Sequence, residues 1–314
     1  MILNNWFSIK TVADRIFYAF LNFINNSEML ASEIKVSICC VSYNQEKLIV
    51  PTIESFLLQQ TTFKFEILIG DDCSTDSTRE VILEYCNRFP DKIKLIAGET
   101  NVGLVRNLTR IIKQAEGEYI AFCDGDDYWT DPFKLQKQVD FLEHNPPYVI
   151  CCHYSKVVDG DDKLLDIELN PVPFEYTYDD ILIGKKKECR TSTILFRNNK
   201  DTIQLTEQEW YKNVQSHSRF FLLFITSITK LKVYVLPEVM AAYRIHSEGM
   251  WSLKDSGFKK SKMLADFRIM LDIFDSDSVQ KKKLLKVYLT NYFLYDLKNL
   301  KLGDSFSTIF SLLR

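Results

Sequence analysis

From Lys35 onward, short apolar runs alternate with longer stretches whose apolar residues recur at helical spacing. The runs predict buried strands and the stretches predict amphipathic helices. Val36-Ser37-Ile38-Cys39-Cys40-Val41 is the first strand, ending in the polar triplet Ser42-Tyr43-Asn44. A helix is expected from about Glu46 to Gln60, with Leu48, Ile53, Phe56 and Leu57 turned inward and Pro51 tolerated near its start. Phe65-Glu66-Ile67-Leu68-Ile69 is the second strand and closes in Gly70-Asp71-Asp72. Ser77 and Glu80 then have capping-box spacing for a helix running to about Arg88. Lys92 to Ile96 form the third strand, Asn101 and Gly103 mark a turn, and Leu104 to Ala115 form the next helix. A fourth run, Glu118-Tyr119-Ile120-Ala121-Phe122, leads into Cys123-Asp124-Gly125-Asp126-Asp127-Tyr128-Trp129. This alternation implies an α/β fold with a Rossmann-like, mostly parallel sheet covered by helices on both faces.

Beyond Pro146-Pro147 the pattern loosens. Tyr148 to Val158 predicts a strand, Asp159-Gly160-Asp161-Asp162 a turn, Cys189 to Arg197 another strand, and Trp210 to Ile225 a helix. Leu231 to Leu236 and Val239 to Ile245 predict two strands paired across Pro237-Glu238. After Trp251 the chain is helical and amphipathic, with Lys259, Lys260, Lys262, Lys281, Lys282 and Lys283 among apolar residues. At the other end, Ile9, Val12, Ala13, Ile16, Phe20, Phe23 and Ile24 follow helical spacing behind Trp6 and Phe7. The expected division is an amphipathic helix over 1–33, a main domain over 34–251 and a helical extension over 252–314. Within the main domain, 34–130 would bind the ligand and 131–251 would complete the site. The N-terminal helix is either an in-plane membrane anchor or packed on its own domain. The lysine-bearing tail offers the same choice between a solvated face and membrane contact.

Composition narrows the classes. Of 314 residues, 46% are hydrophobic and 26% charged, enough apolar surface for a full core. The net charge of -3 gives no support to a nucleic-acid binder. Eight cysteines include two adjacent pairs but no Cys-x-x-Cys, which indicates neither a zinc site nor a disulfide framework. They fit small core residues in a reducing compartment, and the expected location is cytoplasmic. Lys10, Asp14 and Arg15 interrupt any signal-peptide core, and no run has the length of a membrane span.

The chemistry gathers at strand ends, where ligands bind in parallel sheets. Tyr43-Asn44, Asp71-Asp72, Asn101 and the acidic stretch from Asp124 to Asp127 all fall on that edge. Three carboxylates in four positions repel one another unless a cation sits among them. If strand geometry continues past Cys123, Asp124 and Asp126 converge and Gly125 leaves room for a ligand. An all-oxygen site of this kind suits Mg²⁺ or Mn²⁺ carrying a diphosphate; an acidic solvated loop is the alternative. The sheet region holds neither a Gly-x-Gly-x-x-Gly turn nor a Gly-Lys-Ser/Thr loop, against a dinucleotide enzyme or P-loop NTPase.

The ordered set VSICCVSYN, ILIGDDCSTDST, NVGLVRN, GEYIAFCDGDDYW and LPEVMAAYRIHSEGMWS resembles the family 2 glycosyltransferases of the GT-A fold, over about residues 35 to 251. The resemblance implies an inverting, metal-dependent transfer from a UDP-sugar to a saccharide or lipid-linked acceptor in bacterial surface polysaccharide synthesis. On this reading 34–130 is the nucleotide-binding half and 131–251 the acceptor half, and the amphipathic ends leave open a peripheral contact with the cytoplasmic face of the inner membrane. By position, it assigns Asp72 to the uracil N3–H and Tyr43 and Asn44 to the base and ribose pocket. Asp124 would hold the ribose or the metal shell. Asp126, in the Asp-x-Asp motif, and His246 would bind Mn²⁺ or Mg²⁺ at the diphosphate. Arg106 either meets the diphosphate or is a helix-surface arginine. Tyr128 and Trp129 either stack on the acceptor sugar or pack the rim.

One position departs from the family. The usual carboxylate base should fall within Ser216-His217-Ser218-Arg219-Phe220-Phe221, and no carboxylate is there. Ser218 stands in its place, and a serine hydroxyl is no base at neutral pH. His217 is the neighbouring group that titrates in the right range, with Glu209 behind it. The rival expectation is a non-catalytic sugar-nucleotide-binding or scaffolding protein that kept the donor site and lost the base.

Overall fold

A computed structural model describes residues 34–185, 187–247, 249 and 254–314, with side chains undescribed at 200–203. The expected N-terminal amphipathic helix lies outside the described residues. Strands β1 (Val36–Ser42), β2 (Phe65–Asp71), β3 (Ile93–Ala97) and β4 (Tyr119–Asp124) alternate with helices α1 (Ile49–Leu57), α2 (Thr78–Arg88) and α3 (Leu104–Ile112). β1 pairs in parallel with both β2 and β4, and β2 with β3. Apart from Asp124 at the end of β4, the residues of β1, β2 and β4 are all buried, as expected where helices cover both faces.

The rest of the sheet comprises β5 (Tyr128–Trp129), β6 (Tyr148–Asp159), β7 (Leu164–Asp166), β8 (Phe174–Tyr176), β9 (Leu195–Arg197) and β10 (Lys232–Ile245). The order is β3-β2-β1-β4-β9-β6-β10-β5, with β7 on β6 and β8 on β10. The chain order reverses between β1 and β4, which opens a crevice at their carboxyl ends. Helix α4 (Lys134–His144) packs on β6. Short α5 (Tyr178–Leu182), α6 (Lys200–Glu207) and α7 (His217–Thr229) follow.

Four expectations need correction. The helix expected from Trp210 begins only at His217, behind a 3₁₀ turn at Tyr211–Asn213. Lys232–Ile245 is one long strand beside β6 and no hairpin; register shifts after Leu236 and Val239 absorb Pro237, which cannot donate to a ladder. The segment expected as a strand from Cys189 is a 3₁₀ turn, Thr191–Thr193, followed by the short β9. The Ser77–Glu80 capping box does not form; Ser77 donates its backbone N–H to Glu46 Oε2 at 3.1 Å.

The tail is α8 (Ser256–Ile273), α9 (Ser278–Asn291), α10 (Phe293–Lys298) and α11 (Leu302–Leu313). Leu264, Phe267, Met270, Phe274, Leu284 and Tyr288 join Phe220 and Phe221 of α7 in one apolar cluster, so the tail is docked on the acceptor-side half.

Candidate active site

The site is built from the carboxyl ends of β1, β2 and β4. The ladders set Ser42 beside Asp71 and Val41 beside Asp124, which brings the polar strand ends to one rim. Gly125 is required at the turn after β4. A Cβ there would lie 2.3 Å from Gln45 Oε1 and 3.1 Å from the Val41 carbonyl. Its N–H donates to that carbonyl at 2.9 Å, and the Thr52 hydroxyl of α1 reaches the carbonyls of Gly125 and Asp127. The acidic turn is therefore held from below by β1 and α1.

Its three carboxylates differ in environment. Asp127 is buried, accepts the Arg244 N–H at 2.9 Å on Oδ1, and has no partner on Oδ2. Burial, with Asp126 and Asp124 nearby, holds its carboxyl well above the ordinary range. Asp124 is half-buried as a residue, yet its Oδ1 is shut off from solvent and lacks a partner. Burial and the Asp126 charge push this carboxyl up to about 7. The hydroxyls of Thr191 and Ser192 lie alongside and offset part of both rises, although Ser192 Oγ and Asp127 Oδ2 do not meet at hydrogen-bond geometry. Asp126 is the most open of the three and faces His246, whose Nε2 is 3.0 Å from Oδ2. β5 pairing with β10 through Ala241–Trp129 and Ala242–Tyr128 brings this histidine over the acidic turn.

This donor set fits a divalent cation. Orphaned carboxylate oxygens and mutual repulsion are both relieved by positive charge. Among the described residues, no three His, Cys, Asp or Glu side chains form a ready-made cage. That matches Mg²⁺-type sites, which use one or two carboxylates plus substrate phosphates and water.

At the ends of β1 and β2, Tyr43 is 45% exposed, with its ring open to a flat ligand. Asn44, in a left-handed conformation at φ 52°, takes the Thr75 N–H on its Oδ1 at 2.8 Å and so shapes the loop after β2. Asp72 is buried and accepts from Val102 N (3.0 Å), Gly103 N (2.8 Å) and Arg110 (3.1 Å). A carboxylate has about four acceptor positions, and these three partners fill most of them. Arg106 is exposed on α3, and its charge helps hold the Glu209 carboxyl below its usual range, behind the Lys212 contact.

Four contributors escaped the sequence reading. Arg110 clamps Asp72, and Arg79 forks onto the buried Asp71. Arg244 donates to the Asp126 carbonyl at 2.7 Å, pairs with Asp162 at 3.1 Å and lies over the Tyr128 ring. Asp266 of α8 accepts the Gln215 and Ser216 N–H groups at 2.8 Å each, just ahead of His217 and Ser218. Burial raises its carboxyl, partly offset by those bonds. The opening residues of α7, His217 and Ser218, are buried. Trp129, considered as an acceptor platform, is instead core: it is 4% exposed, packs at a tilt against Phe56 and donates Nε1–H to the Ser192 carbonyl at 2.9 Å.

A mostly parallel sheet with a reversed strand order and an acidic turn at its crevice is the arrangement of the GT-A fold. Residues 37–204 match Glycosyl transferase family 2, and the chain belongs to that family. It is similar to the Mycobacterium tuberculosis protein Rv1520, at 33% identity over 69% of this chain and 60% of that one. The chain thus spans under two thirds of these relatives' length. It is also similar to the Escherichia coli UDP-Glc:alpha-D-GlcNAc-diphosphoundecaprenol beta-1,3-glucosyltransferase WfgD, at 38% identity over 35% of this chain and 42% of that one. Among solved structures, Staphylococcus aureus TarS 1-349 in complex with UDP-GlcNAc superimposes with a TM-score of 0.60 at 22% identity, covering 83% of this chain and 73% of that chain.

Proposed function

We propose that the chain is an inverting, metal-dependent glycosyltransferase that moves a sugar from a UDP-sugar to a saccharide or lipid-linked acceptor in surface polysaccharide synthesis. The observation that carries this reading is the gathering of Asp124, Asp126, Asp127 and His246 at the strand-end crevice of a family 2 chain. Tyr43 covers the uracil, the remaining acceptor position of Asp72 takes its N3–H, and Asn44 lines the ribose. Asp124 faces the ribose and metal shell. Asp126 and His246 would hold Mn²⁺ or Mg²⁺, which supplies positive charge against the departing diphosphate. Arg244 keeps Asp126 and Asp127 in place through their backbone and side chain. His217, at the opening of α7, takes the acceptor proton where Ser218 cannot. The relatives named for UDP-linked donors and a diphosphate-linked acceptor support both substrate classes.

Contact with the inner-membrane surface, from the cytoplasmic side, is part of the same proposal. Leu302, Phe306, Phe310 and Leu313 are exposed on α11 with Lys298 and Lys301 close in sequence, the composition of an interfacial helix. Among the described residues no helix is long and apolar enough to cross a membrane.

The test is a panel of UDP-sugars with Mn²⁺, scored separately for UDP release and for product transfer. UDP should bind more tightly with Mn²⁺ than without, and the gain should vanish in Asp126→Ala. Equal affinity in all four titrations would remove the metal from the account. A non-catalytic donor-binding protein is the second reading, favoured by the absence of a carboxylate from residues 216–221. It predicts UDP binding with no turnover on any donor.

A further inference from the structure

A cavity of about 440 Å³ is lined by Tyr176, Gly184, Lys185, Lys187, Glu188 and Arg190. Two connections fix its place. On one side, Arg190 leads directly into Thr191 and Ser192, which flank Asp124 and Asp127. Its guanidinium also lies 4.9 Å over Tyr243, the neighbour of the Arg244 that holds Asp126. On the other side, a Cβ on Gly184 would lie 3.8 Å from the Arg219 guanidinium, two residues past His217. Gly184 itself sits at φ 94°, a left-handed turn that suits glycine and lets the loop cross there. One wall of the cavity is thus joined through Arg190 to the residues beside Asp124 and Asp127, and through Gly184 the other approaches Arg219 in the first turn of α7.

Its charge selects the ligand. Glu188 is occupied by the Tyr176 hydroxyl, and Lys185 pairs with Asp180 at 2.9 Å. Lys187 and Arg190 have no carboxylate partner among the described residues; Arg190 donates to the Ser155 hydroxyl at 2.7 Å, which sets its guanidinium against Tyr243. A planar guanidinium held by a ring and a hydroxyl, with an ammonium nearby, is suited to phosphate oxygens. We infer that this cavity binds a phosphate-class anion of the acceptor, the phosphate or diphosphate that joins an acceptor sugar to its lipid. The inference rests on the proposed sugar-transfer reading and adds the feature by which the acceptor is recognised. A neutral sugar would leave the cations of the cavity unanswered.

The experiment uses the full chain with its donor site filled by UDP and Mn²⁺. Two soluble probes are compared by calorimetry: GlcNAc-diphospho-octyl and the phosphate-free octyl GlcNAc. Inorganic diphosphate and phosphatidylglycerol vesicles form two further arms. Wild type should bind the diphosphate probe and inorganic diphosphate, with affinity falling as salt rises. Lys187→Glu and the pair Lys187→Ala with Arg190→Gln should each weaken both by at least about tenfold. UDP affinity, measured separately in each variant, should not change. Lys187 is exposed, so Lys187→Glu reports on binding even if the Arg190 variant is unstable. Equal binding of the two octyl probes to wild type overturns the inference. So does full retention of the diphosphate probe by Lys187→Glu. If the variants lose only vesicle binding, the cations meet lipid headgroups and the acceptor inference fails. Loss of UDP binding in wild type would instead sink the donor-site reading, while the inorganic diphosphate arm without UDP still tests the cavity.

Discussion

The two halves of the proposed enzyme, donor and acceptor, hold their functional groups differently. In the donor half, each functional group sits at the end of a buried strand and is held by neighbours on the same rim. Asp71, Ser42 and Asp124 come together through ladder register alone, and Asp72 is fixed by the next βα turn. In the acceptor half, the opening of α7 depends on Asp266, 50 residues downstream on another helix. The acidic turn is shared, because Arg244 of β10 reaches back 118 residues to Asp126. The donor site is thus a local consequence of α/β geometry. The opening of α7, where the proposed base lies, is a product of long-range docking.

The largest expected effect tests whether the acceptor half is catalytic at all. His217→Ala should lower transfer by ~10²–10⁴ while UDP affinity stays as in wild type. Ser218→Asp, which restores the family residue, should recover the rate in that background. The measurement is kcat with the best donor, with UDP titration alongside. Transfer at the wild-type rate by His217→Ala would exclude His217 as the base. A chain inactive as wild type but active as Ser218→Asp would make it a donor-binding protein with a lost base.

Next in size is the contact that docks the tail on α7. Asp266→Ala removes the acceptor of two backbone N–H groups in a part-buried place. The expected loss is about 1–3 kcal/mol, since unsatisfied donors carry their desolvation cost. Urea unfolding measures it, and transfer should fall further than UDP affinity because α7 loses its anchor. Equal losses in both would mean that the two halves are not separable in this way.

What the sequence disclosed follows the same division. Period and turn chemistry were enough for β1 to β4, and the rim residues Tyr43, Asp72, Asp124 and Asp126 follow from where those strands end. Pro237-Glu238 reads as a turn between two strands in its own segment; the bulged register that accommodates it is visible only with β6 beside it. Arg110, Arg244 and Asp266 have no signature in their own segments, because each works on a partner brought near by folding. Trp129 was ambiguous for the same reason: nothing in Tyr128-Trp129 says which ring faces Phe56.

A third prediction probes the packing beneath the donor half. Lys134 of α4 is fully buried, with its ammonium 3.9 Å over the Trp129 ring and no hydrogen-bond partner. Burial lowers its pKa from 10.5 to about 7. The unfolded chain therefore holds this proton more tightly than the folded one. Stability from this group is lost as pH falls through the window from about 10 to 7 and is greatest above it. Lys134→Met should flatten that slope and stabilise the protein at pH 7 by about 1–4 kcal/mol, the range for exchanging buried charge for apolar volume. Urea melts at pH 7 and pH 9.5 check both parts. A variant less stable than wild type at both would show that the ammonium–ring contact outweighs the burial cost.

The smallest effect separates two arginines on one helix. Arg106 and Arg110 both lie on α3, one turn apart, and sequence alone singles out Arg106 as the one nearer the rim. In the fold Arg106 is exposed toward Glu209 in the acceptor half, whereas Arg110 bonds Asp72 and Asn107. Arg110→Ala should weaken UDP binding, because Asp72 loses a charged partner and the turn at Val102 and Gly103 loosens. Arg106→Ala should change UDP affinity by no more than about twofold, the ordinary range for an exposed substitution. Calorimetry of UDP with Mn²⁺ on both variants decides between them. A large loss in Arg106→Ala would put that arginine on the donor diphosphate and extend the donor site onto the first turn of α3. The border between the halves would then run through α3, with Arg106 serving the nucleotide from a position that faces the acceptor side.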